Sequence, residues 1–135
     1  MQDTRNEVSD AELKTVIADF LDQGHVDNII AMFSHEPVYY TWTADLLKDT
    51  RMSVRLGLTV LFEELYKQQR GKMVLAVPSL RLLLNDDSPQ LRGEAISLLG
   101  IINTPESRAL IWSMENDPSP LVREMVQIVL DECDD

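Results

Sequence analysis

The sequence predicts an all-α fold, a solenoid of about four stacked helical hairpins with eight helices, and three observations predict it. The first is a repeat. Asp49-Thr-Arg-Met-Ser-Val-Arg55, Asp86-Asp-Ser-Pro-Gln-Leu-Arg92 and Asp117-Pro-Ser-Pro-Leu-Val-Arg123 align without gaps, and their Asp residues recur at intervals of 37 and 31. Each copy reads Asp, four residues, an aliphatic residue and Arg. The second observation is periodicity. Counted from the aliphatic residue, offsets 0, 4, 7, 8 and 11 give Val54, Leu58, Leu61, Phe62 and Leu65, then Leu91, Ala95, Leu98, Leu99 and Ile102, then Val122, Val126, Val129, Leu130 and Cys133. All fifteen are apolar, and at 100° per residue they share an arc of about 100°, the stripe of a helix buried on one side. The third is start chemistry. Ser88-Pro89 and Ser119-Pro120 set a hydroxyl at the N-cap and Pro at the first helical position, where its missing amide costs nothing.

The remaining elements follow in order. Ser9-Asp-Ala-Glu12 is a capping-box pattern. Leu13, Val16, Ile17, Phe20 and Leu21 follow at helical spacing and Gly24 ends the run; Val26, Ile29, Ile30 and Phe33 suggest a short second helix. Residues 9–36 thus read as a degenerate N-terminal hairpin, as expected of a terminal repeat with one side in water, and residues 1–8 as a disordered tail. Residues 37–70, 72–103 and 105–133 read as three full repeats of a single domain. In each, a first helix precedes the Asp. Pro37 and Pro105 start two of them, and Tyr39, Trp42, Leu46 and Leu47 supply apolar positions in the earlier one. In the middle repeat Pro78 either kinks the first helix or begins its regular part. The longer interval places extra residues near Lys67-Gln-Gln-Arg-Gly-Lys72, with Gly71 ending a helix. The helix at Val54 lacks a Ser-Pro start, so its cap is expected from Asp49 or Thr50.

Val77-Pro-Ser-Leu-Arg-Leu-Leu-Leu-Asn-Asp86 through Leu91-Arg92, Ala95 and Leu98-Leu99-Gly100 resembles a HEAT repeat, of the short kind also found in phycobilisome lyases. The resemblance is strong over residues 74–133, good over 37–70 and weak over 1–36. It implies a right-handed α-α superhelix. It also implies that Asp49, Asp86 and Asp117 with Arg55, Arg92 and Arg123 form a ladder of hydrogen bonds between neighbouring repeats, a structural role. Glu63 and Asp131 stand where the second copy has Gly100, and residues 1–36 lack the Asp–Arg pair.

In such arrays the second helices line the concave side. Their outward rows are expected at Leu56, Thr59, Glu63 and Tyr66, at Gly93, Ile96, Gly100 and Asn103, and at Glu124, Gln127 and Asp131. Leu56 and Ile96 lie off the core stripe, so Ile96→Glu is expected to leave folding intact and weaken binding. Tyr39 and Trp42 share a helical face toward the core, which turns Tyr40 outward as a candidate anchor, with Trp112 a second. The chain carries a formal net charge of −11. Residues 1–36 and 104–135 each contribute −6 and residues 37–103 contribute +1. A basic or amphipathic segment of another protein is therefore the expected partner, and polyanions are repelled. Lys67, Arg70 and Lys72, with Arg51 and Arg55, are too few to suggest a nucleic-acid groove.

No catalytic, cofactor-binding or metal-ligating set is expected. His25 and His35 are ten residues apart, not at helical ligand spacing, and read as turn residues. Cys133, the one cysteine, falls on the apolar stripe. No Gly-rich phosphate loop, Ser-His-Asp set or calcium loop is found. No apolar run approaches the roughly 20 residues that span a bilayer, and Met1 to Asp10 lack the apolar centre of a signal peptide, so a cytoplasmic location is expected. The favoured function is a non-catalytic protein–protein interaction scaffold or adaptor. An accessory subunit of a modifying enzyme, like the bilin lyases, is the alternative. A nucleic-acid binder like the HEAT-like DNA glycosylases is disfavoured by charge.

Overall fold

Helices α1 (Asp10–Asp22) and α2 (Val26–His35) open the chain in the computed structural model, which describes residues 8–133. A 3₁₀ segment, Pro37–Trp42, runs straight into α3 (Thr43–Leu47), and α4 (Met52–Gln69) follows. A second 3₁₀ segment, Arg70–Ala76, runs into α5 (Val77–Leu83). Then come α6 (Pro89–Ile102), α7 (Pro105–Trp112) and α8 (Pro120–Cys133). There is no strand among the described residues. The tail expected at residues 1–8 lies, except for Val8, outside them.

The capping chemistry is local and legible. The Ser9 hydroxyl accepts the Glu12 N–H at 3.1 Å, and the Glu12 carboxylate accepts the Ser9 N–H at 3.4 Å, closing the capping box of α1. Gly24, at φ +80°, takes the left-handed turn that ends α1. Ser88 caps α6 by accepting the Leu91 N–H at 3.3 Å. The start of α4 differs from expectation. Arg51 occupies its N-cap position without a side-chain cap, and Asp49 Oδ1 instead accepts the N–H of Arg51 at 2.9 Å. Pro78 lies in the first turn of α5 and begins it. Gly71 does not end α4; it sits inside the 3₁₀ segment that continues from it.

The first helix of the second hairpin is the main departure. Only Thr43–Leu47 is α-helical, so among the described residues the expected eight helices become seven of at least seven residues and this one short turn. The run Val38-Tyr-Tyr-Thr-Trp-Thr43 is β-branched and aromatic, a composition that loses rotamer freedom in an α-helix. Thr41 Oγ1 donates to the Val38 carbonyl (2.6 Å) and Thr43 Oγ1 to the Tyr40 carbonyl (2.7 Å), both three residues back. Winding at three residues per turn eclipses Pro37, Tyr40 and Thr43, and Tyr40 and Thr43 are both fully buried. Tyr40 therefore points inward, not outward as α-helical winding predicts.

Each helix packs on its hairpin partner, α1 on α2, α3 on α4, α5 on α6 and α7 on α8. Helices α2, α4, α6 and α8 also touch in chain order, and α1, α3 and α5 do the same. One hydrophobic core runs between them. Of the fifteen stripe residues thirteen are buried, and only Leu91 and Cys133 are half-buried. Two glycines set close approaches. A Cβ on Gly57 would stand 2.6 Å from the Leu21 carbonyl oxygen of α1, and one on Gly100 would stand 2.2 Å from Val129 Cγ1 of α8.

Candidate functional site

The repeated Asp and Arg gather where helices α4, α6 and α8 begin. Within each copy the Arg donates Nη1 to the main-chain carbonyl of its own Asp, at 3.0 Å for Arg55–Asp49, 2.8 Å for Arg92–Asp86 and 2.7 Å for Arg123–Asp117. Each Asp carboxylate accepts the N–H two residues on, from Arg51, Ser88 and Ser119 at 2.9, 2.9 and 2.8 Å. This is one turn built three times.

Links between copies are less regular. Arg92 Nε and Nη2 both donate to the Asp117 carboxylate at 2.9 Å, a bidentate pair from α6 to the turn before α8. Arg55 does not reach Asp86; its Nε pairs with Glu94 of α6 at 2.9 Å. The Asp49 carboxylate is held in bidentate fashion by Arg51, which also reaches Asp19 and Asp22 of α1 at 3.0 and 3.4 Å. Arg51 was outside the expected set. It replaces the missing Asp–Arg pair of the N-terminal hairpin. Bonding to Arg51 and to Arg92 holds the Asp49 and Asp117 carboxyls below the usual carboxylate range. These carboxylates are occupied in holding the turns before α4 and α8.

The face of α4, α6 and α8 carries a cleft of about 370 Å³, continuous through Thr59 and Ser97 with a smaller depression of about 160 Å³. Of the expected surface residues, Thr59, Glu63, Tyr66, Gly100 and Asn103 line the cleft and Leu56, 61 % exposed, lines the depression. Glu124 and Gln127 are exposed on α8. Tyr40, Gly93 and Ile96 are buried and are not part of this surface. Ile96 and Gly93 fall with Gly100 on the side of α6 turned to α8, as the Gly100–Val129 approach shows. Of the two glycines, only Gly100 stands at a close approach to α8; a Cβ on Gly93 would meet nothing within 4 Å.

The expected row, at offsets 2, 5, 9 and 12, therefore holds on α4, holds on α6 only at Gly100 and Asn103, and is displaced by one residue on α8. On α6 the open row is Glu94, Ser97 and Ile101, and on α8 it is Met125, Ile128 and Glu132, at offsets 3, 6 and 10 in both. One residue is 100° of helix rotation. The signal for this row lay in the sequence, in the matching offsets, but choosing it requires knowing on which side α8 packs on α6. Asn103 has a second role. At φ +53° it caps α6 in the left-handed conformation, and Arg108 Nη1 donates to its Oδ1 at 2.8 Å.

Electrostatically the face is acidic. Glu63, Glu94 and Glu132 line the two depressions, and Arg55 is the only base there, already paired. Burial pushes the Glu94 carboxyl up, against the opposing pull of Arg55, and its Oε1 is buried without a hydrogen-bond partner. Among the described residues no cluster of three His, Cys, Asp or Glu side chains is arranged to hold a metal ion, and no helix is long and apolar enough to cross a membrane. What the face offers is apolar contact ringed by carboxylates. Compared with known proteins, the chain matches no family model, no curated protein and no solved structure.

Proposed function

We propose that the chain is a non-catalytic protein-binding module of the cytoplasm, a short right-handed solenoid of HEAT-like hairpins that holds a partner on its α4–α6–α8 face. The observation that carries this reading is the cleft itself. Ile128, 46 % exposed, lines it beside half-buried Ile101 and Met125, and Leu56, 61 % exposed, lines the adjoining depression, although the same chain buries thirteen of its fifteen stripe residues. Uncovered apolar side chains collected in one concavity mark an interaction surface more than ordinary solvent-facing residues do. Successive contacts of α2, α4, α6 and α8 support the solenoid geometry, and such stacking fixes the shape of the surface before a partner arrives. The nucleic-acid reading fits poorly, because this face holds three carboxylates and one engaged Arg.

A photo-reactive residue placed at Leu56 or Ile128, and separately at Leu82 on α5, tests the reading in the native cell. Leu82 is 74 % exposed and belongs to the other layer. The expected result is one dominant adduct from the two cleft positions, lost on adding Glu132→Lys, and none from Leu82. Adducts at Leu82 alone would place the partner on the wrong face.

A further inference from the structure

We propose that the partner element held on this face is an amphipathic helix with lysine or arginine along its flanks, its apolar side on Leu56, Ile101, Met125 and Ile128 and its cations toward Glu63 and Glu132. This rests on the protein-binding reading above and names the chemistry of the partner.

Charge chooses the sign. Glu63 and Glu132 are exposed, line the cleft and make no ion pair with another described residue, whereas the one base among the residues lining the cleft and the depression, Arg55, is taken up by Glu94 and by the Asp49 carbonyl. A cationic segment completes both carboxylates; an acidic one meets them unscreened. The same argument rejects a second copy of this chain as occupant, since each copy brings a net charge of −11 and the same acidic face.

Backbone chemistry chooses the helix. Met52 and Leu56 stand exposed on successive turns of α4 and both line the depression, extending the apolar strip over about 6 Å. A strand could match that spacing, but its N–H and C=O groups would lie against helical side chains with no sheet edge to pair with, since the described residues contain no strand. A helix meets its own backbone bonds and presents apolar residues every third or fourth position. Glu94 adds a further acceptor. Its unpartnered Oε1 lies under the depression, and the last torsion of a glutamate is soft enough to turn it outward.

The test uses the full chain and two short synthetic amphipathic peptides, one of leucine and lysine at helical period and one with every lysine replaced by glutamate, with binding followed by fluorescence anisotropy. The lysine peptide is expected to bind and become helical, and the glutamate peptide to show no binding. Leu56→Ser, Ile128→Ser and Glu132→Lys should each weaken the lysine peptide by roughly tenfold. Leu82→Ser and Glu36→Lys, exposed elsewhere, should change it by less than about twofold. Circular dichroism of every variant confirms that the fold is kept. Equal binding of the two peptides would overturn the proposal. So would an effect of Glu36→Lys as large as that of Glu132→Lys, which would reduce the attraction to bulk charge. Self-association abolished by Leu56→Ser would overturn it too, by seating a second copy on the face. The photo-adducts separate this failure from that of the wider reading: an adduct at Leu56 joined to a segment that is neither basic nor helical ends this inference and leaves the module intact.

Discussion

At the scale of single residues, the chain is sensitive where a side chain has no room or no partner. Ile96 is the first such position. It is fully buried on the side of α6 turned to α8, so a glutamate there must bring a charge into the core. Ile96→Glu is expected to lose about 3 kcal/mol or more and to melt well below the wild type, contrary to its reading as a surface residue. A melting curve superimposable on the wild type would restore it to the surface. Gly57 is the second. Alanine there meets the backbone of α1, which cannot rotate away, so Gly57→Ala should cost about 1–3 kcal/mol in urea denaturation despite its better helix propensity. Tyr40 runs the other way. Its hydroxyl is buried without a partner, and burial raises its pKa to about 12. Tyr40→Phe removes an unsatisfied group while keeping the ring packed against Phe33, at 4.9 Å between centroids, and should leave stability equal or raise it by about 1 kcal/mol. A drop in melting temperature would show that the hydroxyl has a partner after all.

At the scale of elements, what the sequence disclosed depended on whether local rules or neighbours decided the outcome. The stripes of α4, α6 and α8, the capping box of α1 and the Ser88 cap are local, and they stand where periodicity and cap chemistry put them. The first helix of the second hairpin was read as α because Tyr39, Trp42 and Leu46 fit that period. Two threonine hydroxyls and a β-branched, aromatic run tightened it to 3₁₀ and moved Tyr40 inward. The face of α6 departs from its sequence pattern for a different reason. An internal helix is covered by α4, α5, α7 and α8 at once, and the width of its open strip is set by them, not by its own sequence. Asn103 was assigned to that strip, and it does line the cleft, but its conformation makes it the joint between α6 and α7. Asn103→Ala puts a Cβ-bearing residue without a local side-chain bond into the left-handed region and should cost about 1–2 kcal/mol, whereas Asn103→Gly should be nearly neutral. Comparable losses from both would point instead to the Arg108 hydrogen bond.

At the scale of the whole molecule, neighbouring hairpins are joined by a chain of arginine contacts, each drawn to a different carboxylate: Arg51 to Asp19 and Asp22, Arg55 to Glu94, Arg92 to Asp117. The last is the most sheltered and makes two bonds, so it should govern how the C-terminal hairpin responds to acid. Because Arg92 lowers the folded-state pKa of Asp117, the unfolded chain binds the proton first, at about pH 3.9. The stabilisation from the pair is therefore complete above that pH and disappears as the pH falls through the lowered folded value. Glu94 has the opposite sign. Burial raises its pKa, so its contribution favours the folded state in acid and is lost as pH rises through the folded value. Arg92→Ala should thus cost about 2 kcal/mol at neutral pH, and the difference from wild type should narrow steadily below pH 4 as Asp117 takes up its proton in both. Urea denaturation of the two proteins across that range reads the difference directly. If the gap stays constant from neutral to strongly acidic pH, the bonds of Arg92 to the Asp86 and Asp87 carbonyls matter and its pairing with Asp117 does not.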